Sequence, residues 1–151
     1  MIRSYRLAFI DNLSQAFKPR GAAARWNSEG VVMVYTAEHP ALAALEILSG
    51  WEVYTSLSGY HLYRCTFPEE DVLASPDDLD ITDRQATRTF GDAWVREKKS
   101  TVLSVGSVVV PEATNYLLNP EHPDFVSVEL EALGPFTFDA RIEKLIQEVK
   151  G

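Results

Sequence analysis

The sequence predicts an α+β fold, a single compact domain built on a mixed but mostly antiparallel sheet. At 151 residues the chain is long enough to bury a core and short for two domains. Segments rich in β-branched and aromatic residues recur along it, without the regular strand–helix alternation of a doubly wound fold. No internal repeat or low-complexity linker divides it. We therefore assign residues 1–151 to one domain.

The N-terminal half is predicted to hold three strands and a helix. Alternation in IRSYRLAF indicates a first strand, and NLSQAFKPRGAAA indicates a connector whose short helix is broken at Pro19 and Gly21. GVVMVYTA indicates a second strand that begins at Gly30. HPALAALEILS indicates a helix with Pro40 in its first turn and Gly50 at its end. YHLYRCTF indicates a third strand, which the acidic turn PEED follows.

The C-terminal half is predicted to alternate loops, strands and two helices. Residues 73–83 form a loop that ends in an N-cap signal before the helix RQATRTFGDAWVREKKS. TVLSVGSVVVP indicates a strand run that Gly106 divides. Two X-Pro steps indicate that NYLLNPEHPDF is an extended crossing loop. FVSVELEALGPFTFD indicates a pair of strands, and ARIEKLIQEVK indicates a closing amphipathic helix whose apolar stripe packs on the core.

Composition and charge exclude several classes of function. The chain has 14 basic and 22 acidic residues, a formal charge of −8, whereas proteins that bind nucleic acid directly carry basic stripes. No apolar run is long enough for a bilayer and no signal peptide is visible, so we expect a cytoplasmic protein without membrane contact. Cys65 lies in a predicted strand and is expected to be a buried small hydrophobe. The three histidines are too far apart for a helix-borne metal pair, so no metal site is predicted.

Glu46 is the first candidate for chemistry, within the stretch RWNSEGVVMVYTAEHPALAALE. It is the one charged residue between Pro40 and Gly50, and on a helix it projects close to Leu42. A carboxylate among apolar side chains is costly unless it is paired or functional. The alternative is that Glu46 tips outward into solvent.

Three further residues are weaker candidates when each is considered alone. The guanidinium of Arg25 can bind a phosphate or carboxylate through two parallel hydrogen bonds, or it can pack on Trp26 at the surface. The ring of Tyr35 can stack on a planar ligand and its hydroxyl can donate to one, or the residue is a half-buried sheet tyrosine. Ser107 is polar within a β-branched run, and its alternative is a simple bulge next to Gly106.

Taken in order along the chain, these segments resemble the RES domain, the toxin half of bacterial RES–Xre toxin–antitoxin pairs. The matching pieces are RWN, VYTAEHPALAALE, the serine strand followed by VVPEATNYLLNP, and HPDF. The resemblance extends from SYRLAF to about Phe125. Two departures concern backbone geometry near Ser107 and the RWN step. Ala23 and Ala24 stand where the family often has paired glycines, and Gly106 stands where it commonly has proline.

This resemblance implies a fold related to ADP-ribosyltransferases and an enzyme that degrades NAD. The enzyme would cleave the nicotinamide–ribose bond with water or phosphate as acceptor, as an NAD glycohydrolase or NAD phosphorylase. NAD would be the substrate and no cofactor is implied. Glu46, Arg25 and Tyr35 would be the catalytic residues. Substrate binding is implied for Arg6, Arg25, Tyr35, Ser107 and, more weakly, Tyr5.

The resemblance also implies an Xre-type antitoxin partner and a homodimer within the toxin–antitoxin complex. Two other functions stay open. The chain could be an ADP-ribosyltransferase that modifies a protein target, because its pocket would look alike. It could also be a non-enzymatic module whose function is to bind the antitoxin. A nuclease toxin is disfavoured by the acidic balance of the chain.

Overall fold

A seven-stranded sheet forms the centre of the computed structural model, which describes residues 1–50 and 57–150. The strands are Ile2–Ala8 (β1), Val34–Ala37 (β2), Tyr60–Phe67 (β3), Val72–Ala74 (β4), Val102–Gly106 (β5), Thr114–Leu118 (β6) and Glu129–Phe136 (β7). Their order across the sheet is β4-β5-β6-β2-β1-β3-β7. Only the β4–β5 pair is parallel among the pairs that the described residues form. The predicted class, α+β with a mixed and mostly antiparallel sheet, is confirmed.

Four α-helices are present in the described residues, at Leu13–Ala16 (α1), Pro40–Ser49 (α2), Arg84–Glu97 (α3) and Ala140–Lys150 (α4). The predicted boundaries of α2 are confirmed, with the His39 side chain accepting from the Ala41 N–H and Gly50 following the last turn. Asp83 caps α3 in the same way, through the N–H groups of its first turn. None of these helices is both long enough and apolar enough to cross a bilayer.

The prediction of an extended crossing loop at NYLLNPEHPDF is wrong in its first half. Thr114–Leu118 is the interior strand β6, which pairs with β2 on one side and with β5 on the other. The two X-Pro steps restrict only the residues next to Pro120 and Pro123, both of which lie beyond the strand. Pairing on both sides satisfies the backbone of β6, and this is a tertiary effect that the local sequence does not reveal.

Other strand boundaries also differ from the prediction. β2 begins at Val34 and not at Gly30, because the Asn27 side chain donates to the Val31 carbonyl and the Val31 N–H donates to Ser28. The preceding residues therefore form a turn and have no strand partner. Val72–Ala74, predicted as loop from residue 73, pairs with β5. Residues 107–111, the second part of the run that Gly106 divides, form no strand.

The C-terminal segments differ in two respects. The segment FVSVELEALGPFTFD contains one strand, β7, and not the predicted pair of strands. A 3-10 turn at Pro123–Ser127 precedes β7. The closing helix is confirmed, but its apolar stripe is only partly packed on the core. Ile146 contacts the core, whereas Leu145 and Val149 are 61% and 86% exposed.

The two central strands separate soon after they meet. β1 pairs with β2 only through Tyr5 and Ala37, although β2 pairs with β6 along its whole length. Arg6 lies at this separation and its Nη1 donates to the Tyr35 carbonyl at 3.1 Å. Helix α2 covers the adjacent face, where its buried Ala43 joins a cluster that includes Leu7 and Ala37. The sheet is thus open between β1 and β2, directly beneath α2.

Helix α3 contacts the segment before β2 at very short range. A Cβ atom added at Gly91 would lie 1.8 Å from the Trp26 carbonyl oxygen and 3.2 Å from Met33. No side chain fits at that distance, so only glycine lets the helix approach this closely to residues 24–28, called the RWN segment below. Trp26 in turn packs edge-on against Phe90 of the same helix.

We therefore expect Gly91→Ala to lower the free energy of unfolding by about 1–3 kcal/mol, as overpacking does in other cores. Urea denaturation followed by tryptophan fluorescence measures the change. Gly50→Ala is the matched control, because the nearest atom of the described residues to its added Cβ is the Glu46 carbonyl oxygen, at 3.7 Å. That control should change stability by less than about 0.5 kcal/mol. Equal losses in the two variants would contradict the close approach.

Candidate active site

The carboxylate of Glu46 is held by a hydrogen bond from Ser107. The Ser107 Oγ donates to Glu46 Oε1 at 2.9 Å, and it accepts from the N–H groups of Val109 and Val110, both at 3.1 Å. With both acceptor positions taken by the backbone, the single hydroxyl hydrogen points at Glu46. Ser107 is fully buried and Glu46 is half-buried. Oε1 of Glu46 therefore has a hydrogen-bond donor, whereas no described residue donates to Oε2. Oε2 can accept a hydrogen bond from a ligand.

The hydroxyl of Tyr35 is used inside the protein. It donates to Asn27 Oδ1 at 2.5 Å and accepts from the Trp26 N–H at 3.0 Å. Burial raises the pKa of Tyr35 to about 12, although the hydrogen bond from Trp26 acts in the opposite direction. The tyrosine therefore keeps its proton and ties β2 to the RWN segment. Tyr35 also lines the cavities next to Glu46.

Side chains of α3 fix the RWN segment from the other side. Asp92 accepts from the N–H and the hydroxyl of Ser28, at 2.9 and 2.6 Å. Thr87 donates to the Arg25 carbonyl, and Arg88 Nε donates to the Ala24 carbonyl at 2.7 Å. These three residues were not predicted as part of the site. Their helical spacing was visible in the sequence, but nothing in it indicated which backbone they would reach.

Arg25 and Arg6 present cationic groups without a carboxylate partner in the described part of the chain. Arg25 Nη1 donates to the Ile81 carbonyl at 3.1 Å, and Arg6 Nε donates to the Ala16 carbonyl at 2.7 Å. Burial lowers the pKa of Arg6 from its ordinary value. A buried cation is costly unless a charge compensates it, so the burial of Arg6 favours an anionic ligand. Arg25 is half-buried, and its guanidinium can donate to such a ligand.

Two adjoining cavities meet at Glu46. The larger, of about 150 Å³, lies under α2 in the opening between β1 and β2 and is lined by Tyr5 and Arg6. The smaller, of about 50 Å³, reaches Arg25 and Gly106. Glu46, Tyr35 and Asn115 line both. The structure thus brings together Arg6, Arg25, Tyr35, Glu46 and Tyr5, with Ser107 behind Glu46 and off the cavity wall.

Asn115 is a site residue that the sequence did not reveal. It lies in β6, between Ala37 of β2 and Val105 of β5, and it lines both cavities. The prediction of a loop at this position removed it from consideration. A correct strand assignment with alternating faces would have placed it on the same face as Leu117 and so beside Tyr35.

The single cysteine does not line either cavity. Cys65 is fully buried beside Ser4, and burial raises the pKa of its thiol to about 11, so it is not a thiolate near neutral pH. In residues 1–50 and 57–150, no three His, Cys, Asp or Glu side chains are grouped so that they could hold a metal ion.

Comparisons with known proteins agree on one family. The model of the RES domain matches residues 3–139. The chain is 34% identical to the "Prs ADP-ribosylating toxin" of Sphingobium sp. strain YBL2, covering 78% of this chain and 79% of that protein. It is 30% identical to "Toxin Res" of Yersinia enterocolitica, over 92% and 98% of the two chains. A chain in the crystal structure of the M. tuberculosis MbcT-MbcA toxin-antitoxin complex has the same fold, with a TM-score of 0.64 and 16% identity over 99% of this chain and 88% of that one.

Tyr35→Phe should lower the free energy of unfolding by about 1–3 kcal/mol, because it leaves the Trp26 N–H and the side-chain Oδ1 of Asn27 without their partner. Chemical denaturation measures the loss. Tyr5→Phe is the matched control, since the Tyr5 hydroxyl contacts the partly exposed Arg64 and should contribute less than about 0.5 kcal/mol. A Tyr35→Phe protein as stable as the wild type would show that its hydroxyl does not connect β2 to the RWN segment.

The raised pKa of Tyr35 also predicts a pH dependence. Because the folded state holds this proton more tightly than the unfolded chain, the stabilisation is complete below pH 10 and is lost as the pH rises to about 12. Tyrosinate absorbance should be titrated in the wild type and in Tyr35→Phe. The difference between the two curves should rise with a midpoint near 12. A midpoint near 10, the ordinary tyrosine value, would contradict the buried placement.

Proposed function

This chain belongs to the RES domain family, and we propose that it is the toxin of a bacterial toxin–antitoxin pair that degrades NAD. The reaction is cleavage of the nicotinamide–ribose bond. The observation that supports it most directly is the placement of Glu46, whose Oε1 is held by Ser107 and whose side chain lines both cavities.

A fixed carboxylate suits this bond cleavage. As nicotinamide leaves, positive charge develops on the ribose in an oxocarbenium-like transition state, as in glycoside hydrolysis. A carboxylate that is already oriented stabilises this charge without reorganising during the reaction. Ser107 fixes the direction of Glu46, which leaves Oε2 to face the sugar or its hydroxyls. Ser107 itself is a positioning residue, because its hydrogen and both acceptor positions are already used.

The arginines suit the pyrophosphate of NAD. Arg6 borders the larger cavity and Arg25 borders the smaller one. The observed hydrogen bonds of each arginine go to backbone carbonyls and use only some of its N–H groups. The other N–H groups of each guanidinium can donate to phosphate oxygens. We assign binding of the phosphates to these residues and shaping of the nicotinamide–ribose pocket to Tyr35, with Tyr5 at its edge.

The leaving group and the acceptor complete the reaction. Nicotinamide departs from a pyridinium and is a good leaving group without further activation. Water as the acceptor gives ADP-ribose, and inorganic phosphate gives the phosphorylated product. The enzyme is accordingly an NAD glycohydrolase or an NAD phosphorylase, with NAD as substrate and no cofactor.

A second candidate function is ADP-ribosylation of a protein target. The relative from Sphingobium, with 34% identity, bears the name of an ADP-ribosylating toxin. The same site would serve both reactions, since each begins with loss of nicotinamide. They differ in the acceptor, which is a protein side chain in one and a small molecule in the other. Mass transferred to a protein, with little free ADP-ribose, would favour this second function.

The proposed partner is an antitoxin of the Xre type. A solved structure with the same fold comes from a toxin-antitoxin complex, and a toxin that consumes NAD requires such an inhibitor in the cell that makes it. We place the complex in the cytoplasm, where NAD is available, with a homodimer of this chain inside it. A segment of the antitoxin that covered Arg25 would block the smaller cavity.

We expect purified protein, free of antitoxin, to release nicotinamide from NAD, and Glu46→Gln to reduce that release at least about 100-fold, as loss of a group that stabilises transition-state charge does elsewhere. Glutamine keeps the acceptor for Ser107 and removes only the charge. Liquid chromatography measures nicotinamide, ADP-ribose and its phosphorylated form, in buffers with and without phosphate. Release that requires phosphate identifies a phosphorylase, and release in both buffers identifies a glycohydrolase.

Glu148→Gln is the matched control, the same substitution at an exposed position of α4. It should leave the rate unchanged. Folded protein that binds NAD but releases no nicotinamide, with or without phosphate or a cell extract as acceptor, would contradict the enzymatic proposal and support a binding module.

A further inference from the structure

Asn115 carries a buried hydrogen-bond acceptor for which the described residues supply no donor. Its Oδ1 is shielded from solvent, and no described residue bonds to it. The neighbouring polar groups differ in this respect: Ser107 and Tyr35 use their hydroxyls fully, and Asn27 donates to three carbonyls. Buried polar atoms without partners are rare in native proteins, and each calls for a physical reason.

The position of Asn115 indicates what the missing donor is. The residue sits where the two cavities adjoin, across the sheet from Ala37 and beside Glu46. The larger cavity has apolar walls formed by Leu7, Ala37, Ala43 and Ile47. Such walls suit a flat ring, and the Asn115 oxygen beside them favours a ring that bears an N–H donor.

We propose that Asn115 Oδ1 accepts a hydrogen bond from the carboxamide N–H₂ of nicotinamide, and thereby selects this ring as the leaving group. The inference rests on the proposed function and adds the recognition of the departing base. Glu46 faces the ribose and the arginines face the phosphates, so Asn115 completes the set of contacts along the substrate. It is a binding residue that determines specificity.

Nicotinic acid adenine dinucleotide tests this assignment, because its ring carries a carboxylate in place of the carboxamide. It has no N–H to donate, and its negative charge would lie against Oδ1. The wild type should prefer NAD by at least about tenfold in kcat/KM, the effect of one lost hydrogen bond of ordinary strength. Leucine is similar in size to asparagine and lacks the acceptor. In Asn115→Leu, kcat/KM with NAD should therefore fall to about the value with the acid analogue.

Stability distinguishes this role from a structural one. Because no described residue bonds to Oδ1 in the free protein, Asn115→Leu should unfold at a denaturant concentration equal to or above that of the wild type. Asn119→Leu is the matched control in the same segment. Asn119 donates to the Val95 carbonyl and accepts from the Glu121 N–H, so its replacement should lower that concentration. Loss of stability in Asn115→Leu would overturn the proposal.

Binding of the free bases separates this proposal from the proposed reaction. Nicotinamide and nicotinate are titrated into the wild type and into Asn115→Leu, with ligand-observed NMR as the readout. Nicotinamide binding that Asn115→Leu weakens about tenfold, with nicotinate bound weakly by both proteins, supports the assignment even if NAD is never cleaved.

Three binding or kinetic results would also overturn it. Nicotinamide could bind equally to both proteins. The variant could lose activity equally with NAD and with its acid analogue, which would place Asn115 on the shared part of the substrate. The wild type could prefer the acid analogue, which would mean that Asn115 donates to the ligand.

Discussion

The hydrogen bond from Ser107 to Glu46 is the contact on which the candidate site depends, because it joins two segments 61 residues apart. Glu46 belongs to α2, which follows β2, and Ser107 is the first residue after β5. In the sheet, β6 lies between β2 and β5. The N–H groups of Val109 and Val110 occupy the acceptor positions of the hydroxyl, so its hydrogen has one direction. A carboxylate held in this way is ready for charge that develops in a transition state.

The RWN segment is fixed by a second set of contacts that meet it from both sides. The Tyr35 hydroxyl bonds to it from β2, and Thr87, Arg88 and Asp92 bond to it from α3. Gly91 allows that helix to approach. Arg25 is therefore positioned by its neighbours although its own guanidinium makes few contacts. Most of the interactions that prepare the site are made by residues that a ligand would not touch.

The site also contains groups that destabilise the free protein. Arg6 is a buried cation whose hydrogen bonds go to carbonyls, and Asn115 has an acceptor without a donor among the described residues. The short β1–β2 pairing leaves the opening in which both groups lie near Glu46. Unfavourable local interactions of this kind are expected at functional sites, where a bound ligand can satisfy the unpaired groups.

The sequence by itself determined the elements whose signals act within a few residues. Pro40 and Gly50 bound α2, and Asp83 begins α3, because capping and proline geometry are local. The order of motifs along the chain named Arg25, Glu46 and Ser107 through family resemblance, although each alone also had an ordinary structural interpretation. Only the tertiary structure decided that β6 is an interior strand, that the Tyr35 hydroxyl is used internally and that Asn115 faces the cavities. Those outcomes depend on partners that are distant in sequence, and no local pattern specifies them.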